Sequence, residues 1–438
     1  MSETDFLTEV GQRFDSRLAI EYTREFFNSK DGCVVYSPNQ ESVSGDYTDR
    51  AVRTELSEAR LVAMGDAHGS AYKIMETVVQ SGLATLSPAD AKKFCSLYAG
   101  LSESLKNAVE ILKNQRTENT DEAADILKDL FKADDTELTD QYVSESRKKI
   151  LAYREFFIKQ KKQIIDLVKE VKWTGGEREL VLLGDLIFDR GLCDDITLAL
   201  VAELRTKAEA AGGRVEIMAS NHDLEGFFQE SAGWDLSHLT SRMNKKVYED
   251  YCRQLKLCHF DEEKKVFFTH AMWSNDVDAY ELLGDSEHIS IKNKFYSAKN
   301  FPLLDVMREY FNFTAETPPV VVVDKLNEWF QINVVDKFFR VPSAVINNDD
   351  FKMIKILVWA RGGVTSVDDF MFKNNETSYV HGHDDATKKS LWHGYTGIDS
   401  PKVFNLDNFN RKGEARLLHT ENQDEAVDSQ SNLLFAIP

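Results

Sequence analysis

Five short blocks constrain this chain more than anything else in it, because each follows a short apolar run and carries side chains able to hold a cation. They are Gly65-Asp66-Ala67-His68-Gly69, Gly184-Asp185-Leu186-Ile187-Phe188-Asp189-Arg190-Gly191, Asn221-His222-Asp223, Thr269-His270-Ala271 and Gly382-His383. Each apolar run reads as a buried strand, so the polar residues would sit at strand ends, where an α/β fold places its chemistry. Together Asp66, His68, Asp185, Asn221, His270 and His383 offer carboxylate, amide oxygen and imidazole. That mixture suits a pair of first-row divalent ions rather than a thiolate zinc site. Asp185 is the natural bridge, since one carboxylate has an oxygen for each ion. One such block alone says little, because Gly-Asp turns and single histidines are common. Five in order, each behind an apolar run, form a ligand set.

The 438 residues, 42% hydrophobic and 29% charged, suffice for the core of one large domain or two smaller ones. A net charge of −20 sets a field that repels nucleic acid and anionic lipid, so a polyanionic substrate is disfavoured. A single phosphate on a peptide or small molecule remains compatible, because nearby cations outweigh the distant field. No run approaches 18 uncharged apolar residues, so no transmembrane segment is expected. The acidic start Met1-Ser2-Glu3-Thr4-Asp5 lacks the basic-then-apolar pattern of a signal peptide. Five scattered cysteines, with no CxxC pair, fit a reducing, cytoplasmic compartment better than a disulfide framework.

Periodicity predicts a strand at Leu61 to Met64, a helix from Ser70 to about Gln80 stopped by Gly82, and a strand at Glu179 to Leu183. A helix over Ile196 to Ala211 and a strand over Arg214 to Ala219 complete a βαβ unit. Strands are expected at Lys265–Thr269, Ile354–Trp359 and Ser378–His381, and a helix from Asp324 within the mixed stretch 320–339. Val403–Leu406 and Ala415–Leu418 read as closing antiparallel strands. Between about 87 and 173, apolar residues recur at three and four in a charge-rich background. This reads as two long amphipathic helices with a shorter one (about Asp121 to Phe131) between them, a hairpin whose entry and exit lie close together. The expected division is 1–83 and 174–420 as one catalytic domain, 84–173 as the inserted hairpin, and 421–438 as an acidic, mobile tail.

The blocks resemble the calcineurin-like metallophosphoesterases, and within them the phosphoprotein phosphatase branch. Asp189-Arg190-Gly191 and Trp359-Ala360-Arg361 point to that branch, and Gly382-His383 is followed by Asp384-Asp385 rather than by a second histidine. The resemblance covers roughly 60–83 and 179–420. It implies an α/β fold, a β-sandwich flanked by helices, carrying the long helical hairpin as an insertion. It implies a first ion on Asp66, His68 and Asp185, and a second on Asp185, Asn221, His270 and His383. His222 would be the general acid, oriented by Asp189, and Arg190 and Arg361 would grip phosphate oxygens, a task suited to bidentate guanidinium. Mn²⁺ is the ion expected for activity in vitro, with iron or zinc as alternatives. The implied reaction is hydrolysis of a phosphoprotein monoester by a hydroxide shared between the ions.

Ser220 and Asp223 depart from the usual residues around Asn221-His222, which are Gly and, in that branch, Glu. The insertion between Asp66 and Asp185 is similar to that of type IV-secreted effector phosphatases of the Wip type. That similarity implies phosphotyrosine as the substrate and delivery by a bacterium into a host cell. The alternatives are a phosphoserine/threonine phosphatase, a phosphodiesterase or nucleotide hydrolase on the same two-metal site, or a binding scaffold without turnover. The hairpin is either a solvated arm or a docking site for a protein partner. His238, His259, His288, His393 and His419 read as structural or solvated. His381 is read as packing or as support for a metal ligand, and Asp385 as a surface carboxylate or an extra ligand.

Overall fold

The computed structural model describes residues 59–101 (His68 and Ala99 apart), 145–187, 194–227, 245–279 (Asp276 and Asp278 apart), 288–340 (Ala315 apart), 348–360, 371–372, 377–383, 403–406, 415–418 and 432–437. Two sheets form its frame. In the first, β1 (Leu61–Met64), β2 (Glu179–Leu182), β3 (Arg214–Met218) and β4 (Leu255–Lys256) lie side by side and parallel. In the second, β5 (Cys258–Asp261) pairs antiparallel with β6 (Val266–Thr269), which runs parallel to β7 (Ser378–His381) and through it to β8 (Val403–Asn405). Two further strands, β9 (Ala415–Leu418) and β10 (Asn432–Ile437), return to the first sheet, giving the orders β9-β10-β1-β2-β3-β4 and β8-β7-β6-β5.

The apolar runs are continuous because both faces of these strands are covered. Alternate side chains Leu61, Ala63, Val181, Leu183 and Met218 meet Val266, Phe268, Val380 and Leu406 in a core between the sheets. Their neighbours Val62, Met64, Leu180, Leu182, Phe267 and Tyr379 belong instead to the larger core shared with the helices.

Helix α1 (Ala71–Gln80) opens at Ser70, whose Oγ accepts from the Lys73 N–H at 3.2 Å, an N-cap that satisfies an end donor. Helix α2 (Glu145–Val168) buries Phe157, Ile164, Leu167 and Val168, and exposes Phe156 and Ile158. Helix α3 (Asp194–Ala210) is the crossover between β2 and β3, and buries Ile196, Leu200, Leu204 and Ala208 at helical spacing. Helix α2 packs on α3, with Lys161 and Asp195 paired at 2.7 Å. The chain leaves for the inserted region and returns at one place: Ala84–Thr85 pairs antiparallel with Lys172–Trp173, and the Thr174 and Gly175 N–H groups both donate to the Leu83 carbonyl. Residues 88–98 are helical, while the expected helix at 121–131 lies outside the described residues.

Four expectations need correction. Ile354–Trp359 is not a strand; it ends a helix, one of α4 (Lys245–Cys252), α5 (Leu303–Phe311), α6 (Pro319–Trp329) and α7 (Asn348–Trp359) in the second half, where α6 runs on through a π-helical turn (Phe330–Val335) into a short helix (Asp336–Arg340). Asp349 and Asp350 sit in the first turn of α7, where negative charge meets the positive helix end. A six-residue stretch, apolar but for Lys355, is too short for its periodicity to separate the two readings. Helix α6 starts before Asp324, with Pro319 in its first turn, and buries Val322, Leu326 and Trp329. That packing overrides the strand preference of Val320–Val323. β8 and β9 are strands, but β8 runs parallel to β7 and β9 parallel to β10. Finally, residues 432–437, expected within a mobile tail, form β10 and pair with β1 from Leu61↔Ile437 to Met64↔Leu434.

Candidate metal centre

The parallel run of β1, β2 and β3, and of β6 and β7, sends the blocks to one edge of the two sheets. Asp66 follows β1, Asp185 follows β2, Asn221 follows β3, His270 follows β6 and His383 follows β7. All five are buried, and ligand atoms of Asp66, Asp185 and His270 lie within 4.8 Å of one another. His270 is the hub. Its Nδ1 lies 2.8 Å from the Leu183 carbonyl, which fixes the proton on that nitrogen, and 3.8 Å from Asp66 Oδ1. Nε2 then presents its lone pair 2.8 Å from Asn221 Oδ1 and 3.5 Å from Asp185 Oδ1. Three acceptor atoms of different residues converge there, an arrangement a cation relieves. The His383 ring stands 5.0 Å from that of His270, centroid to centroid.

Backbone contacts fix the edge. The Ala67 N–H donates to the Gly184 carbonyl (3.4 Å), Gly69 N–H to Asp185 (3.3 Å) and Gly382 N–H to His270 (2.8 Å). The His383 N–H donates to Asp66 Oδ2 at 2.9 Å. Lys73, buried on α1, donates its ammonium to the Asp66 carbonyl. Gly382 leaves room for Asp66: a Cβ there would come within 1.9 Å of Asp66 Oδ1. Asp185 (φ +52°) and His383 (φ +68°) both occupy the left-handed region. Residues held in such conformations cost up to about 1–3 kcal/mol each and cluster at functional sites. The donor set of carboxylate, amide oxygen and imidazole, and the cradle cut for Asp66, fit divalent ions.

Of the expected site residues, the fold therefore brings together Asp66, Asp185, Asn221, His270 and His383. His68, Asp189, Arg190 and Arg361 lie outside the described residues, as does Asp385. His222 is at the same edge and half-buried, with Nδ1 3.6 Å from Glu225 Oε2. Glu225 was not expected as its neighbour; the three-residue spacing in a helical turn is the signal that could have found it. His381 is fully buried, its Nδ1 2.8 Å from the Gly382 carbonyl, so it braces the turn that carries His383.

Asp223 is also fully buried. Its carboxylate accepts from Leu186 N–H, Ile187 N–H and Ser220 Oγ, and its pKa is raised to about 7 by burial first and by the Asp185 charge second. Asp223 gave no sequence signal of this role, because Leu186 and Ile187 lie on another segment. Cys95, Cys252 and Cys258 are free and buried, and burial pushes all three thiols up, the reverse of an activated nucleophile.

No protein-family model matches the chain, nor does any curated protein. Among solved structures, the phosphatase domain of the Legionella effector WipB matches with a TM-score of 0.38 and 18% identity, over 74% of this chain and 98% of that one. The cold-active protein-tyrosine phosphatase of a psychrophilic Shewanella species matches with a TM-score of 0.24 and 17% identity, over 56% of this chain and 64% of that one. The chain thus spans under two thirds of the Shewanella enzyme. At these TM-scores neither likeness bears on fold or activity.

Proposed function

We propose that this chain is a metal-dependent phosphomonoesterase of the calcineurin-like, phosphoprotein phosphatase type. In this reading Asp66, His68, Asp185, Asn221, His270 and His383 hold two divalent ions. The observation that carries it is the convergence of Asp66, Asp185 and His270 within 4.8 Å at the carboxyl ends of strands from both sheets. Asn221 Oδ1 stands against the same imidazole nitrogen.

Two divalent ions, when bound, polarise phosphoryl oxygens and make water nucleophilic at neutral pH. The chain's own residues do the rest. Asp185, between His270 and the Asp223 side of the site, has a carboxylate oxygen for each ion. His222 is exposed enough to reach a substrate and, with Glu225 beside it, can give a proton to the leaving oxygen. Asp189 is the further carboxylate proposed to orient it. Arg190 and Arg361 are proposed to hold the phosphoryl oxygens, which favours a dianionic monoester over a diester. The high thiol pKa values of the described cysteines favour water over a cysteine nucleophile. Phosphotyrosine on protein is the substrate we favour, Mn²⁺ the ion in vitro, and a host cell the place of action.

The test is turnover of p-nitrophenyl phosphate with Mn²⁺, with and without EDTA, beside bis-p-nitrophenyl phosphate and a panel of phosphotyrosine, phosphoserine and phosphothreonine peptides. Monoester turnover lost in EDTA and restored by Mn²⁺ is expected. Faster turnover of the diester would move the chain to the phosphodiesterases, and turnover indifferent to EDTA would end the metal reading.

A further inference from the structure

Asp223 is a fully buried carboxylate beside the site, and no step above uses it. Its Oδ1 accepts from the N–H groups of Leu186 (3.0 Å) and Ile187 (3.2 Å), the two residues after Asp185. Its Oδ2 accepts from Ser220 Oγ at 2.7 Å, and that hydroxyl accepts in turn from the Asp223 N–H at 3.0 Å. Ser220 precedes Asn221, and its Cβ lies 2.6 Å from where a Cβ on Gly184 would stand. Gly184, at φ +107°, precedes Asp185. The loop bearing Asn221 therefore grips the loop bearing Asp185 on both sides of that aspartate: Ser220 against Gly184 before it, Asp223 on Leu186 and Ile187 after it. From α4, Tyr248 donates to the Asp223 carbonyl at 2.8 Å and ties the grip to the helical layer.

A buried carboxylate with backbone donors on one oxygen and a hydroxyl on the other has one orientation available. It holds the turn that carries Asp185, in its left-handed conformation, beside the turn that carries Asn221. We propose that Ser220 and Asp223 are positioning residues, a hydrogen-bonded clasp that fixes the separation of Asp185 and Asn221 and thereby the affinity for the cation these two share. The proposal rests on the metal-centre reading above. Groups that orient metal ligands typically contribute about 10–100-fold in metal affinity.

The experiment is calorimetric titration of the metal-free full chain with Mn²⁺, for wild type, Asp185→Asn, Ser220→Ala, Asp223→Asn and Asp223→Ala. Ser220→Ala is expected to weaken Mn²⁺ binding about 10-fold, with kcat on p-nitrophenyl phosphate recovering at saturating Mn²⁺. Asp223→Asn keeps an oxygen for Leu186 and Ile187 and an amide that can donate to Ser220. It should bind within about threefold of wild type, whereas Asp223→Ala should fall about 100-fold. This rescue by the amide separates positioning from general stability. If Asp223→Ala fails to fold, Ser220→Ala and Asp223→Asn decide. Wild-type affinity in Ser220→Ala, alongside lost binding in Asp185→Asn, would overturn the clasp and leave the metal centre standing. Loss in Asp223→Asn equal to Asp223→Ala would overturn it too, because charge rather than geometry would then set affinity. No Mn²⁺ binding by wild type would remove both readings.

Discussion

Two clusters in this molecule are built from the same side-chain types on different backbones. Asp66, Asp185 and His270 meet where strands end, and Glu179, Glu216 and His259 meet between the sheets, off the amino-terminal end of β2. In both, ligand atoms lie within 4.8 Å of one another. The second cluster stands on regular strand positions and already holds a cation, with Lys256 2.7 Å from Glu216 and His259 Nε2 3.2 Å from Glu179. The first stands on turns, with Asp185 and His383 in left-handed backbone, and with Gly382 pared to admit Asp66. Residue type alone does not distinguish the two. The backbone that delivers the groups, and the charge already beside them, decide.

The comparison breaks most readily at Asp185. Asp185→Asn should lower kcat/KM on p-nitrophenyl phosphate at least ~10³-fold by removing the proposed shared ligand, while Glu216→Gln leaves it within about twofold. Equal losses in the two variants would erase the distinction. His222→Asn should lower kcat about 10²–10⁴-fold with Mn²⁺ content unchanged, as measured by elemental analysis. Unaltered turnover would remove His222 from the reaction. Mn²⁺ at about 100 times its Kd should stabilise wild type and His259→Gln alike by about 2.7 kcal/mol in urea unfolding, and should leave His270→Ala unmoved. Loss of the effect in His259→Gln would show the ion at the wrong cluster.

The smallest effect sharpens the second cluster. Burial, and then the Glu216 charge, raises Glu179 from 4.5 to about 7, and burial lowers His259 from 6.5 to about 4. Between about 4.5 and 7 the folded chain holds the Glu179 proton more tightly than the unfolded chain, so this group's contribution falls as pH rises. His259 has the opposite slope between about 4 and 6.5, because there the unfolded chain binds the extra proton. Glu179→Gln removes the first slope only. Relative to wild type it should gain about 1–2 kcal/mol between pH 5 and pH 8 in urea titrations. No differential gain would mean that Lys256 already neutralises the pair in full.

Much of the fold was readable where the information is local. β1, β2, β6 and β7 are short, mainly apolar runs closed by Gly or His, β3 alternates Arg214 and Glu216 with Val215 and Ile217, and α1 carries its own cap in Ser70 and its own stop in Gly82, at φ +65°. Ile354–Trp359 misled because a short apolar run fits a buried strand and a buried helix face equally well, and its acidic helix start lies upstream of it. β10 misled because nothing near Ile437 announces that its partner is Leu61, 376 residues earlier in the chain. Glu225 and Ser220 sat three residues from their partners His222 and Asp223, whereas Asp223 acquired its role only through Leu186 and Ile187 on another segment.

The amino-acid order by itself determined the donor types, their sequence and their places at the ends of apolar runs, since alternation and turn chemistry act over a few residues. Tertiary structure alone decided that Asp66, Asp185, Asn221, His270 and His383 share one buried edge, and that Asp223 reaches back across 36 residues to the Ile187 N–H. Strand direction and sheet stacking are set by contacts between distant segments, and only those contacts turn a list of donor groups into a cluster.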